Sequence, residues 1–153
     1  MNIVNYLFRY FPLYFYLIIT YVLIITCLLA YLFLVFKGWG QMNHPGSAAI
    51  KLQQAGMPVV SNRVCQAKNM KSAIGSSSAV TSAMLCAGDA GKTVTSGCFG
   101  DSGGPFVCQN SAGRWVQQGI VSWGDPACSS VNHFNVFTRV SMFRQWIENI
   151  MKE

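Results

Sequence analysis

The chain has 153 residues, of which 52% are hydrophobic, 13% aromatic and only 10% charged, with a formal net charge of +6. This composition excludes a disordered chain, a collagen, a coiled coil and a large multidomain enzyme. The basic residues from Lys37 onward are scattered with no basic run, so the charge reads as a solvated surface and not as a nucleic-acid footprint.

The chain divides into two unlike parts, 1–36 and 37–153. Residues 10–36 carry no charge and are bracketed by Arg9 and Lys37, with tyrosines toward both ends. As a helix the stretch would reach roughly 40 Å, enough to cross a bilayer with tilt. It is longer than the apolar core of a secretory signal and lacks a small-residue cleavage site, so an uncleaved signal-anchor is expected. Val35-Phe36-Lys37 runs into Gly38-Trp39-Gly40 without a polar stalk, so a mis-joined gene segment is the alternative.

From residue 37 onward the pattern is β. Pro58-Val59-Val60, Phe106-Val107-Cys108, Trp115-Val116 and Gly119 to Trp123 are short β-branched or aromatic runs. Turn residues separate them at His44-Pro45-Gly46, Asn110 to Gly113 and Gly124-Asp125-Pro126. Pro105 to Trp123 reads as a hairpin, and Ser72 to Ser82 as a surface loop. Only the C-terminus shows helical period: Phe143, Trp146, Ile147, Ile150 and Met151 form one apolar stripe, with Ser141 as the expected N-cap. A barrel with one terminal helix is the expected architecture.

The chemistry lies in Cys98-Phe99-Gly100-Asp101-Ser102-Gly103-Gly104-Pro105. Ser102 is a hydroxyl on a glycine-flanked turn. Glycines there permit positive φ and close approach of a bound chain. Such a turn can aim the N–H groups of Gly100 and Ser102 at one point, giving an anion site beside a nucleophile, as acyl transfer requires.

This string resembles the nucleophile loop of the chymotrypsin–trypsin family of serine endopeptidases. Gly38-Trp39-Gly40, Leu52 to Ala55, Pro58 to Ser61, Met84 to Gly88, Ser122-Trp123-Gly124 and Val136 to Val140 resemble other family segments in the family's order. The resemblance runs from about Val35 to Ile150. It implies an all-β fold: the second six-stranded barrel of a double barrel, incomplete, with a C-terminal helix. The barrel's first strand would be missing or supplied by Tyr31–Lys37.

The resemblance also implies roles. Ser102 is the nucleophile, and Gly100 and Ser102 form the oxyanion hole. Ser122, Trp123 and Gly124 pair with the main chain of a peptide or protein substrate. Ser96 sits at the base of the specificity pocket with Gly97 beside it, Phe99 on the substrate side and Asn135 on the wall. Ser96 offers no carboxylate for a cationic side chain, so an apolar or aromatic residue before the scissile bond is expected. No cofactor and no metal are called for. Asp101 pairs in the family with an α-amine released on activation, and without that amine it is expected to be buried unpaired or the loop to collapse.

Six cysteines point to an oxidising compartment, secreted or membrane-anchored with the catalytic part outside. The resemblance implies the bridges Cys65–Cys86 and Cys98–Cys128. Cys108 is expected to be a buried thiol in preference to a partner of Cys27. The family takes its general-base His and orienting Asp from a first barrel absent from this sequence; His44, in an exposed turn, and His133, at the far end of the pocket, do not replace them. The chain alone is therefore expected to be inactive. One alternative is a membrane-anchored, catalytically silent binding module. A second, an α/β-hydrolase with the order Ser102, Asp125, His133, is opposed by the absence of a helix after the serine.

Overall fold

The computed structural model describes residues 34–70, 79–93, 95–131 and 133–152. Strands β1 (Leu34–Gly38), β2 (Gln53–Met57), β3 (Val59–Val60), β4 (Met84–Ala87), β5 (Pro105–Gln109), β6 (Trp115–Trp123) and β7 (Asn135–Arg139) form one antiparallel sheet in the order β2-β1-β5-β6-β7-β4-β3. β2 and β3 are separated only by Pro58, whose missing N–H interrupts the ladder. The two ends of the strand order are thus one bent stretch of chain, and the sheet closes on itself. The expected all-β architecture with a terminal helix is present.

Alternation builds the core. Leu34 and Phe36 of β1, Phe106 and Cys108 of β5, and Leu85, Ala87 and Phe137 turn inward with Met57. The Phe106 and Phe137 rings stack with centroids 4.2 Å apart. Gly119 passes beside them, where a Cβ would stand 3.0 Å from that of Phe137, so a side chain at 119 would push the stacked pair apart. The expected hairpin is β5–β6, closed by Asn110, whose Oδ1 accepts from the N–H groups of Ala112 and Arg114 at 3.0 Å each.

The expected division at 36/37 requires correction. Leu34 to Phe36 pair with Met57 to Ala55 in β2, and Val35 and Phe36 pair with Val107 and Phe106 in β5. They are strand, not the end of a transmembrane helix, because their alternating apolar side chains fill the barrel. The rest of the expected span, 10–33, lies outside the described residues, as do Cys27 and 71–78 of the expected loop. Among the described residues no helix is long and apolar enough to cross a membrane.

Two helical expectations also change. α1 (Asn62–Asn69) was not foreseen from periodicity, because its sequence is mostly polar. It starts where the Ser61 hydroxyl accepts the Val64 N–H, and it is tied down by Cys65. Its last residue, Asn69, is buried and exchanges hydrogen bonds with the Phe134 N–H (2.9 Å) and C=O (3.2 Å). At the C-terminus, Ser141 lies inside a 3₁₀ turn (Val140–Met142) and cannot cap; α2 (Arg144–Ile150) starts at Phe143 with no side-chain cap. Much of the apolar stripe is exposed: Trp146 is 65% exposed and Ile150 52%, while Ile147 is half-buried.

Candidate active site

The nucleophile turn joins the end of the Cys98 segment to β5. Asp101 N–H donates to Cys98 O (3.1 Å), Gly104 N–H to Asp101 O (2.9 Å) and Gly103 N–H to Val121 O (2.9 Å), while Val121 N–H returns to Gly104 O (2.9 Å). Gly100 and Gly103 hold φ of +95° and +81°, which glycine adopts without strain. Between these engaged amides, the N–H groups of Gly100 and Ser102 donate to no acceptor among the described residues. Both residues are exposed, and the Ser102 hydroxyl likewise has no protein partner there.

Ser102 opens onto a cleft of about 250 Å³. Gly97, Cys98, Phe99, Val121, Ser122, Trp123, Gly124, Asp125, Pro126, Cys128 and Asn135 line it with Ser102. One wall comes from a bulge: β6 pairs Val121 with Phe137 and Trp123 with Val136, leaving Ser122 as the extra residue. A bulge here bends the strand and releases Ser122 to Gly124 from full pairing with β7. The Cys98–Cys128 disulfide joins the nucleophile turn to the far rim, and Cys65–Cys86 joins α1 to β4; both expected bridges are formed. Cys108 is buried in the core, 5% exposed.

Ser96 meets the cleft through the side chain of Asn135. It faces a second cavity of about 270 Å³, with Gly38, Gly40, Gln53 and Asp101 among its walls. Asn135 lines the cleft: its Oδ1 accepts from Ser96 Oγ (3.1 Å) and Gly97 N–H (3.0 Å), and a Cβ on Gly124 would stand 3.2 Å from it. The Asn135 amide fills the space between Gly97 and Gly124, and it takes up the Ser96 hydroxyl.

Asp101 is buried, as expected, but it is not unpartnered. Oδ1 accepts the Gly40 N–H at 2.8 Å and Oδ2 the Cys98 N–H at 2.9 Å. Backbone dipoles thus compensate a carboxylate that is 5% exposed, and the turn has not collapsed onto the Gly100 and Ser102 amides.

The histidines stand apart from Ser102. His133 is 3% exposed and its Nδ1 lies 3.4 Å from Asp125 Oδ2 without a hydrogen bond between them. Asp125 is occupied by the Ala127 N–H at 2.8 Å. Asp125 lines the cleft with Ser102 and His133 does not, and the strand β5 directly after the Ser102 turn is not the helix that an α/β-hydrolase requires. His44 is exposed, bonded through Nδ1 to Gln41 Oε1 (2.9 Å), with its ring 4.4 Å from that of Phe99.

A closed antiparallel β-sheet, a serine on a glycine-flanked turn at its rim and a cleft beneath it define a serine-hydrolase class of site. The trypsin family model matches residues 34–147. Transmembrane protease serine 11C from Mus musculus is 40% identical over 113 residues, covering 74% of this chain and 25% of the relative. The chain belongs to the trypsin family, and it spans about a quarter of the length of that curated relative.

Proposed function

We propose that this chain carries the nucleophile-bearing barrel of a serine endopeptidase. Ser102 attacks the scissile carbonyl and becomes acylated, and the Gly100 and Ser102 N–H groups receive the negative charge that develops on the carbonyl oxygen. The observation that carries this reading is the pair of unengaged amides flanking a fully hydrogen-bonded carboxylate. An N–H in a structured turn normally has a partner, and two vacant ones beside a free hydroxyl suit a transient oxyanion. The bulged segment Ser122 to Gly124 supports main-chain pairing with a peptide or protein substrate.

Specificity follows from Asn135. The cleft presents the Asn135 amide, with no carboxylate there to neutralise a lysine or arginine side chain. An apolar side chain before the scissile bond remains the reading, limited in length by Asn135, so a small one enters more easily than an aromatic one.

On this reading the general base and the Asp that orients it belong to a first barrel outside the described residues. A serine hydroxyl without a base reacts slowly near neutral pH, so residues 34–152 alone are inactive or nearly so. The cavity beside Asp101 is where the α-amine of an activated chain would reach the carboxylate. Two disulfides suit an extracellular site of action, whether secreted or membrane-anchored.

The test is covalent labelling of the protein isolated from its natural source. A fluorophosphonate is expected to modify Ser102, read by mass spectrometry of the Cys98–Gln109 peptide, with no labelling of the Ser102→Ala variant. A folded natural product that ignores the reagent would overturn the endopeptidase reading in favour of a silent binding module.

A further inference from the structure

We propose that the exposed loop 41–48 clamps the Phe99–Gly100 peptide, and that His44 is the positioning residue of the clamp; the functional meaning of this rests on the oxyanion reading of Gly100. The loop is closed at its base by a bridge between Gln41 and Ala48 and by the Ala49 N–H, which bonds to Trp39 O and Gly40 O at 3.1 Å each. It then meets the nucleophile turn at three points. Gly40 N–H bonds to Asp101 Oδ1, Gln41 N–H donates to Phe99 O at 2.8 Å, and the His44 ring lies against the Phe99 ring at 4.4 Å.

The second of these contacts sets the amide. In a trans peptide the C=O of one residue and the N–H of the next point in opposite directions. With Phe99 O held by Gln41, the Gly100 N–H is directed away from the loop and left unengaged. A rotated peptide would instead present the Phe99 carbonyl, a negative dipole, where the oxyanion needs a donor. Gly100 lacks a Cβ, so sterics alone do not forbid rotation; a single neutral hydrogen bond decides between the two orientations. His44 reinforces that bond from both sides. Its Nδ1–H donates to Gln41 Oε1 at 2.9 Å, holding the donor residue, and its ring covers the side chain of the acceptor residue. An exposed His in a turn has no core to fill, so these contacts account for its position.

The experiment uses the full chain and a peptide boronic acid, which forms a tetrahedral adduct on a serine hydroxyl. His44→Ala is expected to weaken the adduct about tenfold with an unchanged melting temperature, as for loss of one polar contact. His44→Phe keeps the ring and His44→Asn the polar contact, and each is expected to recover part of the loss. Equal affinity across the series overturns the clamp. If the wild-type chain, which lacks the general base, forms no adduct, the clamp is decided independently by amide hydrogen exchange. The Gln41 N–H is expected to be protected in the wild type and to exchange at least about tenfold faster in His44→Ala. Unchanged exchange overturns the proposal.

Discussion

The carboxylate of Asp101 accepts the N–H of Gly40 at 2.8 Å, joining the nucleophile turn to the segment just beyond β1 across 61 residues of sequence. Both glycines of Gly38-Trp39-Gly40 serve this contact: a Cβ at Gly38 would lie 2.0 Å from Asp101 Oδ1, and one at Gly40 2.4 Å from Asp101 Cγ. The carboxylate is packed into a backbone nest in which a methyl group has no room. Asp101→Ala removes the acceptor of two amides, and a buried donor left unmade costs about 1–3 kcal/mol. The variant is expected to lose roughly 2–4 kcal/mol in urea denaturation. Gly40→Ala is expected to lose a comparable amount, because the added methyl group displaces the same carboxylate. A loss under about 0.5 kcal/mol in both, the range of an ordinary surface change, would contradict this packing.

How much of this was legible in the sequence depends on how local the information is. Strands β3, β5 and β6 announce themselves through short apolar runs between turn residues, whereas β2, β4 and β7 come from the family resemblance, as does the role of Cys98 to Pro105. Leu34 to Phe36 carry two readings in the sequence, the end of the apolar stretch or the barrel's first strand, because an apolar strand continuing an apolar stretch has no boundary of its own; only pairing with β2 and β5 decides. α1 was hidden by its polar sequence, and its single local signal was Ser61, whose hydroxyl caps it. The family resemblance places Ser96 at the base of the pocket and Asn135 on its wall. Their relative depth depends on side chains 39 residues apart meeting through one hydrogen bond, which spacing does not encode.

Asn135 gives a direct test of the cleft. Asn135→Gly removes the acceptor of the Ser96 hydroxyl and the Gly97 N–H and deepens the cleft. A stability loss of about 1 kcal/mol is expected from the partly buried N–H left without its partner. Binding of benzeneboronic acid and of a small alkyl boronic acid should change in opposite senses, the aromatic one gaining. If both bind Asn135→Gly as they bind the wild type, Asn135 does not limit the cleft.

The two disulfides separate stability from site geometry. They close segments of similar length, with sequence separations of 21 and 30 residues, so the chain-entropy argument assigns each about 3–4 kcal/mol. Replacing either pair with alanines is expected to lower the denaturation midpoint by similar amounts. Only Cys98/Cys128 ties the nucleophile turn to the cleft rim, so only its removal should weaken boronic acid binding at Ser102 under conditions where both variants are folded. Equal binding losses would mean that the cleft depends on overall stability and not on that bridge.

The C-terminal helix supplies the last test. Phe143 at the N-cap and Trp146 and Ile150 of α2 fall at spacings of three and four, and Trp146 and Ile150 are more than half exposed. An apolar stripe at helical period ordinarily packs on a core, and side chains half or more exposed contribute little to folding. Trp146→Gln and Ile150→Gln should therefore change unfolding free energy by no more than about 0.5 kcal/mol. The same substitutions remove a contiguous apolar surface, so binding of a hydrophobic dye to the native protein should fall and its solubility should rise. A destabilisation of several kcal/mol would instead mean that this face is buried by another part of the full-length protein, because only buried aromatic and aliphatic side chains carry that much energy.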